Sequence, residues 1–143
     1  MINTLTKLQK DIISSQRIGR LATVDEIGKP LVLPICFALL GNNIYTPIDK
    51  KPKRVPADNL RRLKNISVNP NVSIVFDKYY EDWSRLHYII VEGHATVIEE
   101  GEEYEHCLQS LVQKYHQYRK MGLLELGLPI IKIIPKKIIF WGN

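Results

Sequence analysis

Residues 86–98, LHYIIVEGHATVI, decide the predicted fold. β-Branched, aromatic and other apolar residues dominate the stretch and it contains no proline, so it predicts one long β-strand. Gly93 interrupts the apolar run and predicts a bulge or a sharp bend. His87 and His94 fall on opposite faces of this strand unless the bulge changes the parity. We interpret both histidines as sheet residues rather than as catalysts.

Five further strand-like segments accompany this strand, at residues 19–24, 31–40, 44–46, 72–76 and 130–141. Turns rich in Gly, Pro, Asn or Asp precede several of them. The spacing of the first three segments predicts an antiparallel meander. Together the segments predict a mainly β or α+β fold, a six-stranded antiparallel barrel with a few flanking helices. We expect one domain over residues 1–143.

Three segments of the chain predict helices. Apolar residues from Leu5 to Ile13 recur at helical spacing, and a second helix is expected at residues 57–64. A third begins with the acidic residues 99–105, whose carboxylates favour the positive end of a helix dipole. An amphipathic pattern carries this third helix to Tyr115.

The composition is that of an ordinary globular protein, with 143 residues, 45% hydrophobic and 24% charged. Disordered and fibrous classes are excluded. The apolar runs are shorter than the roughly 20 residues of a membrane-spanning helix, and Lys7, Lys10 and Asp11 break any signal-peptide pattern. We therefore expect a cytoplasmic protein. Cys36 and Cys107 lack CxxC or metal-ligand spacing, so we interpret them as buried free thiols and predict no metal site.

Positive charge is concentrated at residues 49–64, whose net charge of +5 equals that of the whole chain. Prolines stiffen this segment and a helix N-terminus follows it, so a bound phosphate group is the simplest hypothesis. A solvated, lysine-rich surface without a ligand is the alternative. Nucleic acid is disfavoured, because the cations lie in one loop and one helix while the adjacent strand lacks suitably alternating aromatic residues. The cations are Lys50, Lys51, Lys53, Arg54, Arg61, Arg62 and Lys64.

Four strings occur along the chain in a familiar order: residues 20–24 (RLATV), 51–54 (KPKR), 69–72 (NPNV) and 82–86 (DWSRL). With the order of elements, they make the chain resemble the split β-barrel flavoproteins related to pyridoxamine 5′-phosphate oxidase. The resemblance is strongest to a branch described as deazaflavin-dependent (coenzyme F-420) enzymes. It implies a homodimer, with two sites for FMN or a deazaflavin at the subunit interface.

The resemblance also implies site residues. Tyr45, Thr46 and the basic residues Lys50, Lys51, Lys53 and Arg54 would hold the phosphate of the cofactor. The backbone of Leu33, Pro34, Ile35 and Cys36 would face its ring. Trp83 and Arg85 would reach the cofactor of a neighbouring subunit or cap one barrel end, and Trp141 would line a ring pocket or pack in the core. Two lysines and a proline replace the usual small hydroxyl residue of the loop, which leaves room for a longer, more anionic tail.

The expected function is an oxidoreductase that uses coenzyme F-420 as hydride carrier on an unidentified small molecule. The alternatives are an FMN-binding oxidase or reductase and a non-catalytic protein that binds a flavin-type cofactor. Haem is disfavoured, because no histidine has the context of a haem ligand. The sequence identifies no catalytic acid–base pair, and a recognisable Arg-x-His is missing near residue 143.

Overall fold

The computed structural model describes residues 3–48 and 60–142. In these residues the helices are α1 (Lys7–Ser15), α2 (Arg61–Val68), α3 (Glu102–Lys114), α4 (His116–Lys120) and α5 (Leu123–Leu126). The strands are β1 (Gly19–Val24), β2 (Pro30–Ile35), β3 (Ala38–Leu40), β4 (Asn43–Pro47), β5 (Asn71–Lys78), β6 (His87–Ile98) and β7 (Ile130–Gly142). A short 3-10 helix, Trp83–Arg85, connects β5 to β6.

The strands form one antiparallel sheet in the order β2-β1-β5-β6-β7-β4-β3. The sheet curls until its two ends meet, because residues 33–36 at one end and Thr46 and Pro47 near the other line the same cleft. This meeting line is called the seam below. The predicted antiparallel split barrel with flanking helices is confirmed.

The strand count is seven rather than the predicted six, because residues 31–40 form two strands. The chain leaves the sheet at Phe37, whose backbone N–H donates to the Tyr115 hydroxyl over 3.1 Å. The Phe37 carbonyl accepts from Lys114 Nζ over 3.3 Å. The two antiparallel pairings of the predicted meander are present, β1 with β2 and β3 with β4, but the divided middle strand places β2 and β3 at opposite ends of the sheet order.

The predicted long strand is confirmed as β6, which pairs with β5 on one side and β7 on the other. The register between β6 and β7 shifts between Glu92 and Gly93, as the glycine predicted. A Cβ atom on Gly93 would lie 2.7 Å from the Ile134 carbonyl oxygen. Close approach of the two backbones thus explains the glycine.

The core has two parts. The barrel interior packs Phe37 against Phe76, with ring centroids 4.8 Å apart, and α1 adds Ile13 to it. The helices α3–α5 pack outside β3 and β4 in a second cluster that contains Cys107 and Tyr45. The expectation of a buried thiol holds for Cys107, whereas Cys36 is only half-buried. None of the described helices is long and apolar enough to cross a membrane.

Candidate functional site

The seam cleft is a small opening of about 30 Å³ between the two ends of the sheet. It is lined by Leu33, Pro34, Ile35, Cys36, Thr46, Pro47, Arg62 and Tyr118. The structure thus brings the predicted ring-facing strand together with Thr46. Since β2 is an end strand of the sheet, one of its backbone edges has no strand partner among the described residues. The cleft combines this edge with a buried hydroxyl and a guanidinium group.

Tyr45 and Thr46 are separated by the alternation of β4. Thr46 is 1% exposed and lines the seam cleft, whereas Tyr45 packs beneath α3. The Tyr45 hydroxyl donates to Glu103 Oε2 over 2.6 Å, and Lys132 Nζ lies 2.6 Å from the same oxygen. Burial and the Glu103 hydrogen bond raise the pKa of Tyr45, while Lys132 and then Tyr45 lower the pKa of Glu103. Tyr45 thus holds β4 against α3 and does not line the cleft.

Arg62 is a lining residue whose role the sequence did not distinguish from its neighbours. Helix α2 is fixed on β1 by a buried hydrogen bond of 2.9 Å from Asn65 Nδ2 to Thr23 Oγ1. This orientation directs Arg62 toward the seam and leaves Arg61 exposed. Arg62 is thus the described member of the basic segment that reaches the cleft. Lys50, Lys51, Lys53 and Arg54 lie outside the described residues.

Tyr118, on α4, closes another side of the seam cleft. This residue was not predicted from the sequence. Its ring meets that of Tyr115 edge to face, with centroids 5.4 Å apart. The Tyr115 hydroxyl donates to the backbone carbonyl of Arg17 over 2.9 Å, besides binding Phe37. The end of α3 and the start of α4 therefore support the wall of the cleft next to Cys36. Only an apolar–aromatic helical pattern past Tyr115 could have indicated this wall.

Lys114 is the most perturbed cation of the described residues. Its Nζ lies 3.7 Å from the centroid of the Phe37 ring. Burial first, and the neighbouring Arg17 charge second, lower the pKa of Lys114 to about 8. Burial also raises the pKa of Tyr115 to about 12. These groups hold the β2–β3 crossover and lie beside the seam cleft rather than in it.

The loop between β5 and β6 is an exposed aromatic and cationic surface. Asp82 begins the 3-10 helix by accepting a hydrogen bond from the Ser84 backbone over 3.1 Å. Trp83 is 71% exposed, and its Nε1 donates to the Tyr79 hydroxyl over 3.3 Å. The Arg85 guanidinium lies 4.0 Å over the centroid of the Tyr80 ring. This stacking leaves the in-plane donors of Arg85 directed outward.

Trp141 lies on β7 and stacks on Tyr88, with centroids 5.5 Å apart and ring planes 14° apart. It is 50% exposed, so it is not a core residue. Neither Trp141 nor Trp83 nor Arg85 lines the seam cleft of its own chain. The strand order explains this separation, because β5, β6 and β7 lie inside the sheet while the seam joins its ends.

The histidines give no metal centre. His87 and His94 are half-buried on β6, and His106 and His116 are exposed on α3 and α4. Within residues 3–48 and 60–142, no group of three His, Cys, Asp or Glu residues could hold a metal ion.

A curled antiparallel sheet whose two ends meet at a seam defines the class of split β-barrel proteins. The chain belongs to the pyridoxamine 5′-phosphate oxidase family, whose model matches residues 5–142. No match was found among curated proteins.

Solved structures share the fold. A conserved hypothetical protein from Mycobacterium tuberculosis has a TM-score of 0.78 at 18% identity, with 97% of this chain and 86% of that chain covered. HutZ, the heme storage protein from Vibrio cholerae, has a TM-score of 0.74 at 19% identity, with 97% of this chain and 94% of that chain covered. An FAD-binding protein from Mesorhizobium loti has a TM-score of 0.69 at 18% identity, with 95% of this chain and 94% of that chain covered. At these identities the similarity shows the fold alone.

Proposed function

We propose that this protein is a homodimeric oxidoreductase that binds a flavin-type cofactor at the seam. The observation that supports it is the seam cleft, where an unpaired strand edge, Thr46 and Arg62 meet. These groups fit the cofactor class: backbone N–H and C=O groups match the polar rim of a flavin-type ring, and Arg62 matches an anionic group. When bound, such a cofactor carries electrons or a hydride, and the protein orients it and excludes water.

Coenzyme F-420 is our first choice of cofactor and FMN the second. The basic segment adds Lys50, Lys51, Lys53 and Arg54 next in sequence to the described end of β4. Together with Arg62, this charge exceeds what one phosphate group requires, which favours a longer anionic tail. A deazaflavin behaves as a hydride carrier, so the reaction would be a direct reduction of a small molecule.

The size of the seam cleft supports the homodimer. A volume of about 30 Å³ has room for a water-sized group, so the described lining of the cleft does not by itself enclose a three-ring cofactor. The ring would lie across the opening and need a second surface to cover it. We propose that the second copy supplies this surface.

The outer face of the sheet is suited to that contact. One row across five strands contains Pro34, Arg20, Val75, Ile90 and Ile139, and the next row contains Asp77, Tyr88 and Trp141. On β5, β6 and β7 the first row is apolar, and Val32 on β2 is 64% exposed. Both signs of charge occur on the face, in Glu92 opposite Lys137. A two-fold axis can pair such a face with itself.

The same arrangement gives Trp83, Arg85 and Trp141 a function. They lie away from the cleft of their own chain, where β5 ends, β6 begins and β7 ends. In a dimer built on the outer face, we propose that they approach the partner's seam. There Trp83 would cover the ring, and Arg85, supported by Tyr80, would pair with an anionic group.

A binding protein without turnover is the second candidate. It is favoured by the shared fold with a heme storage protein and an FAD-binding protein. Haem ranks below flavin here, because the described lining of the cleft contains no histidine and offers Cys36 as its one sulfur ligand. Turnover therefore has to be measured separately from binding.

The decisive experiment titrates the purified protein with FMN, coenzyme F-420 and haem, after an absorption spectrum of the protein as isolated. Arg62→Ala should weaken binding of the flavin-type cofactor by about 1.5–3 kcal/mol, the range for hydrogen bonds to charged groups. Arg61→Ala is the matched control, because Arg61 is the exposed neighbour on the same helix. Lys53→Ala tests the basic segment in the same titration. Equal affinities of the Arg62 and Arg61 variants for the flavin-type cofactor would show that the seam cleft is not its binding site.

A second measurement tests the dimer. Ile90→Glu, on the outer face, should convert the protein to a monomer in sedimentation analysis and weaken cofactor binding. Val68→Glu is the control, because Val68 is 54% exposed on α2. A monomeric wild-type protein with full cofactor affinity would contradict the dimeric site.

A further inference from the structure

A second and larger cleft of about 380 Å³ lies where the end of α1 meets the start of β1 and the end of β5. Its lining comprises residues 15–18, Arg20, Asp77 and Lys78. Three of the lining side chains are cations, Arg17, Arg20 and Lys78, and one is a carboxylate, Asp77. The cleft therefore has a formal charge of +2 and a volume suited to a small anionic group.

The cations are held in place in different ways. Arg17 donates to the backbone carbonyl of Lys114 over 2.9 Å and lies 4.7 Å over the Tyr115 ring centroid. Arg20 Nη1 donates to Asp77 Oδ1 over 2.6 Å. Lys78 lies 5.3 Å over the Tyr80 ring centroid and has no carboxylate within ion-pair distance among the described residues. Arg17 and Lys78 thus keep their charge uncompensated by an ion pair.

This cleft begins one strand away from the seam. Arg20 on β1 is the register partner of Pro34 on β2. Directly opposed residues in an antiparallel pair have Cβ atoms about 5 Å apart on the same face. A ligand whose anionic group lies between Arg17, Arg20 and Lys78 therefore has its other end next to the edge formed by residues 33–36.

We propose that this cleft binds the oxyanion of the substrate, a phosphate monoester or a carboxylate. The inference rests on the proposed function, because it places the rest of the substrate against the cofactor at the seam. Guanidinium groups match the oxygen geometry of both anions, and Lys78 adds a point charge. The residues of this cleft differ from those assigned to the cofactor. The oxyanion of the substrate and the anionic group of the cofactor therefore occupy different places.

Calorimetric titration of the cofactor-free protein with phenyl phosphate and with benzoate tests the site and distinguishes the two sources of the oxyanion. Lys78→Ala should lower the affinity for the probe by about tenfold or more, as expected for the loss of one hydrogen bond to a charged group. Lys29→Ala should leave the affinity unchanged, because Lys29 lies beyond the other end of β1. Arg20→Lys keeps the charge but loses the planar fork, and should also weaken binding.

The outcomes separate this site from the cofactor site. Binding lost in Lys53→Ala and kept in Lys78→Ala would place the anion in the basic segment and overturn the inference, as would a failure of both probes to bind. Equal affinities for the Lys78 and Lys29 variants would overturn it as well. Probe binding that requires Lys78, in a protein that binds none of the flavin-type cofactors, would support the anion site and reject the proposed function.

Discussion

The hydroxyl of Tyr45 donates to Oε2 of Glu103 over 2.6 Å, joining residues 58 apart in sequence. This bond connects a strand that lines the seam to the helix that packs outside it. Tyr45→Phe removes the hydroxyl and leaves the ring in place. We expect the free energy of unfolding to fall by about 1 kcal/mol, since Glu103 is partly exposed, and the melting temperature to fall by about 3 °C. An unchanged melting temperature would show that the bond contributes nothing.

Glu103 makes the stability of the protein depend on pH in the acid range. Its pKa lies below its ordinary value, first because of Lys132 and then because of Tyr45. The folded state therefore favours the ionised form, and this contribution to stability is complete above about pH 4.5 and disappears as the pH falls through the folded pKa. For Glu103→Gln, the free energy of unfolding should fall less steeply than that of the wild type between pH 5 and pH 3. Denaturant titrations of both proteins over that window measure it, and parallel curves would contradict it.

Lys114 also makes stability rise with pH, but in the alkaline range rather than in acid. Its folded pKa of about 8 is lower than the ordinary value of 10.5, so the unfolded chain binds more protons between these values. Stability should therefore rise with pH above about 8, relative to a variant without the amine. In the absolute stability of the wild type, Cys107, whose pKa burial raises to about 12, opposes this rise above pH 9, but the variant shares the thiol and its contribution cancels in the difference.

Lys114→Met is the variant for this test and Lys120→Met, on an exposed position of α4, is its control. Denaturant unfolding at pH 7.5, 8.3 and 9 should show the wild type and the Lys120 variant gaining stability relative to Lys114→Met. A constant difference across the three values would mean that Lys114 does not titrate in this window.

The two thiols should differ in reactivity. Cys36 is half-buried and lines the seam cleft, whereas Cys107 is fully buried and its pKa is raised by burial. Because the thiolate is the reactive form, a thiol reagent should label Cys36 first in the native protein and Cys107 only after denaturation. Bound FMN or F-420 should protect Cys36. Mass spectrometry of labelled peptides measures the order, and Cys36→Ser should abolish the early phase.

Gly93 should not tolerate a side chain. A Cβ atom there would lie 2.7 Å from the Ile134 carbonyl oxygen, and backbone on both strands prevents it from moving away. Gly93→Ala should cost about 2 kcal/mol or more in the free energy of unfolding. Gly41→Ala is a poor control because of its positive φ of 61°, so Ser73→Ala, on the facing strand, serves instead. Equal stabilities would mean that β6 and β7 separate locally without cost.

Features encoded in adjacent residues were predictable from the sequence. The long strand and its bulge follow from the apolar run and Gly93, and the N-terminal helix follows from apolar spacing, although it starts at Lys7 and leaves Leu8 60% exposed. The break at Phe37 was not predictable, because its cause is the hydroxyl of Tyr115, 78 residues away. Local pattern favours one continuous strand there, and a distant hydrogen-bond partner overrides it.

The lining of the seam cleft was predictable in part for the same reason. Residues 33–36 and Thr46 were expected together and line one cleft. The family resemblance grouped Tyr45 with Thr46, yet the alternation of β4 places their side chains on opposite sides. The choice between Arg61 and Arg62 depends on how α2 is rotated, and the Asn65–Thr23 bond that fixes this rotation crosses 42 residues of sequence.

The strand order has a consequence for how the protein can change. The pairings of β6 with β5 and β7 are the longest in the sheet, whereas the seam lies between β4 and the edge of β2 that has no strand partner among the described residues. Substitutions along the seam therefore alter which molecule fits while leaving most of the ladder intact. A planar ligand with hydrogen-bonding edges would form hydrogen bonds that the strand edges at the seam lack, so a bound ligand should slow amide exchange in β2 and β4 more than in β5 or β6.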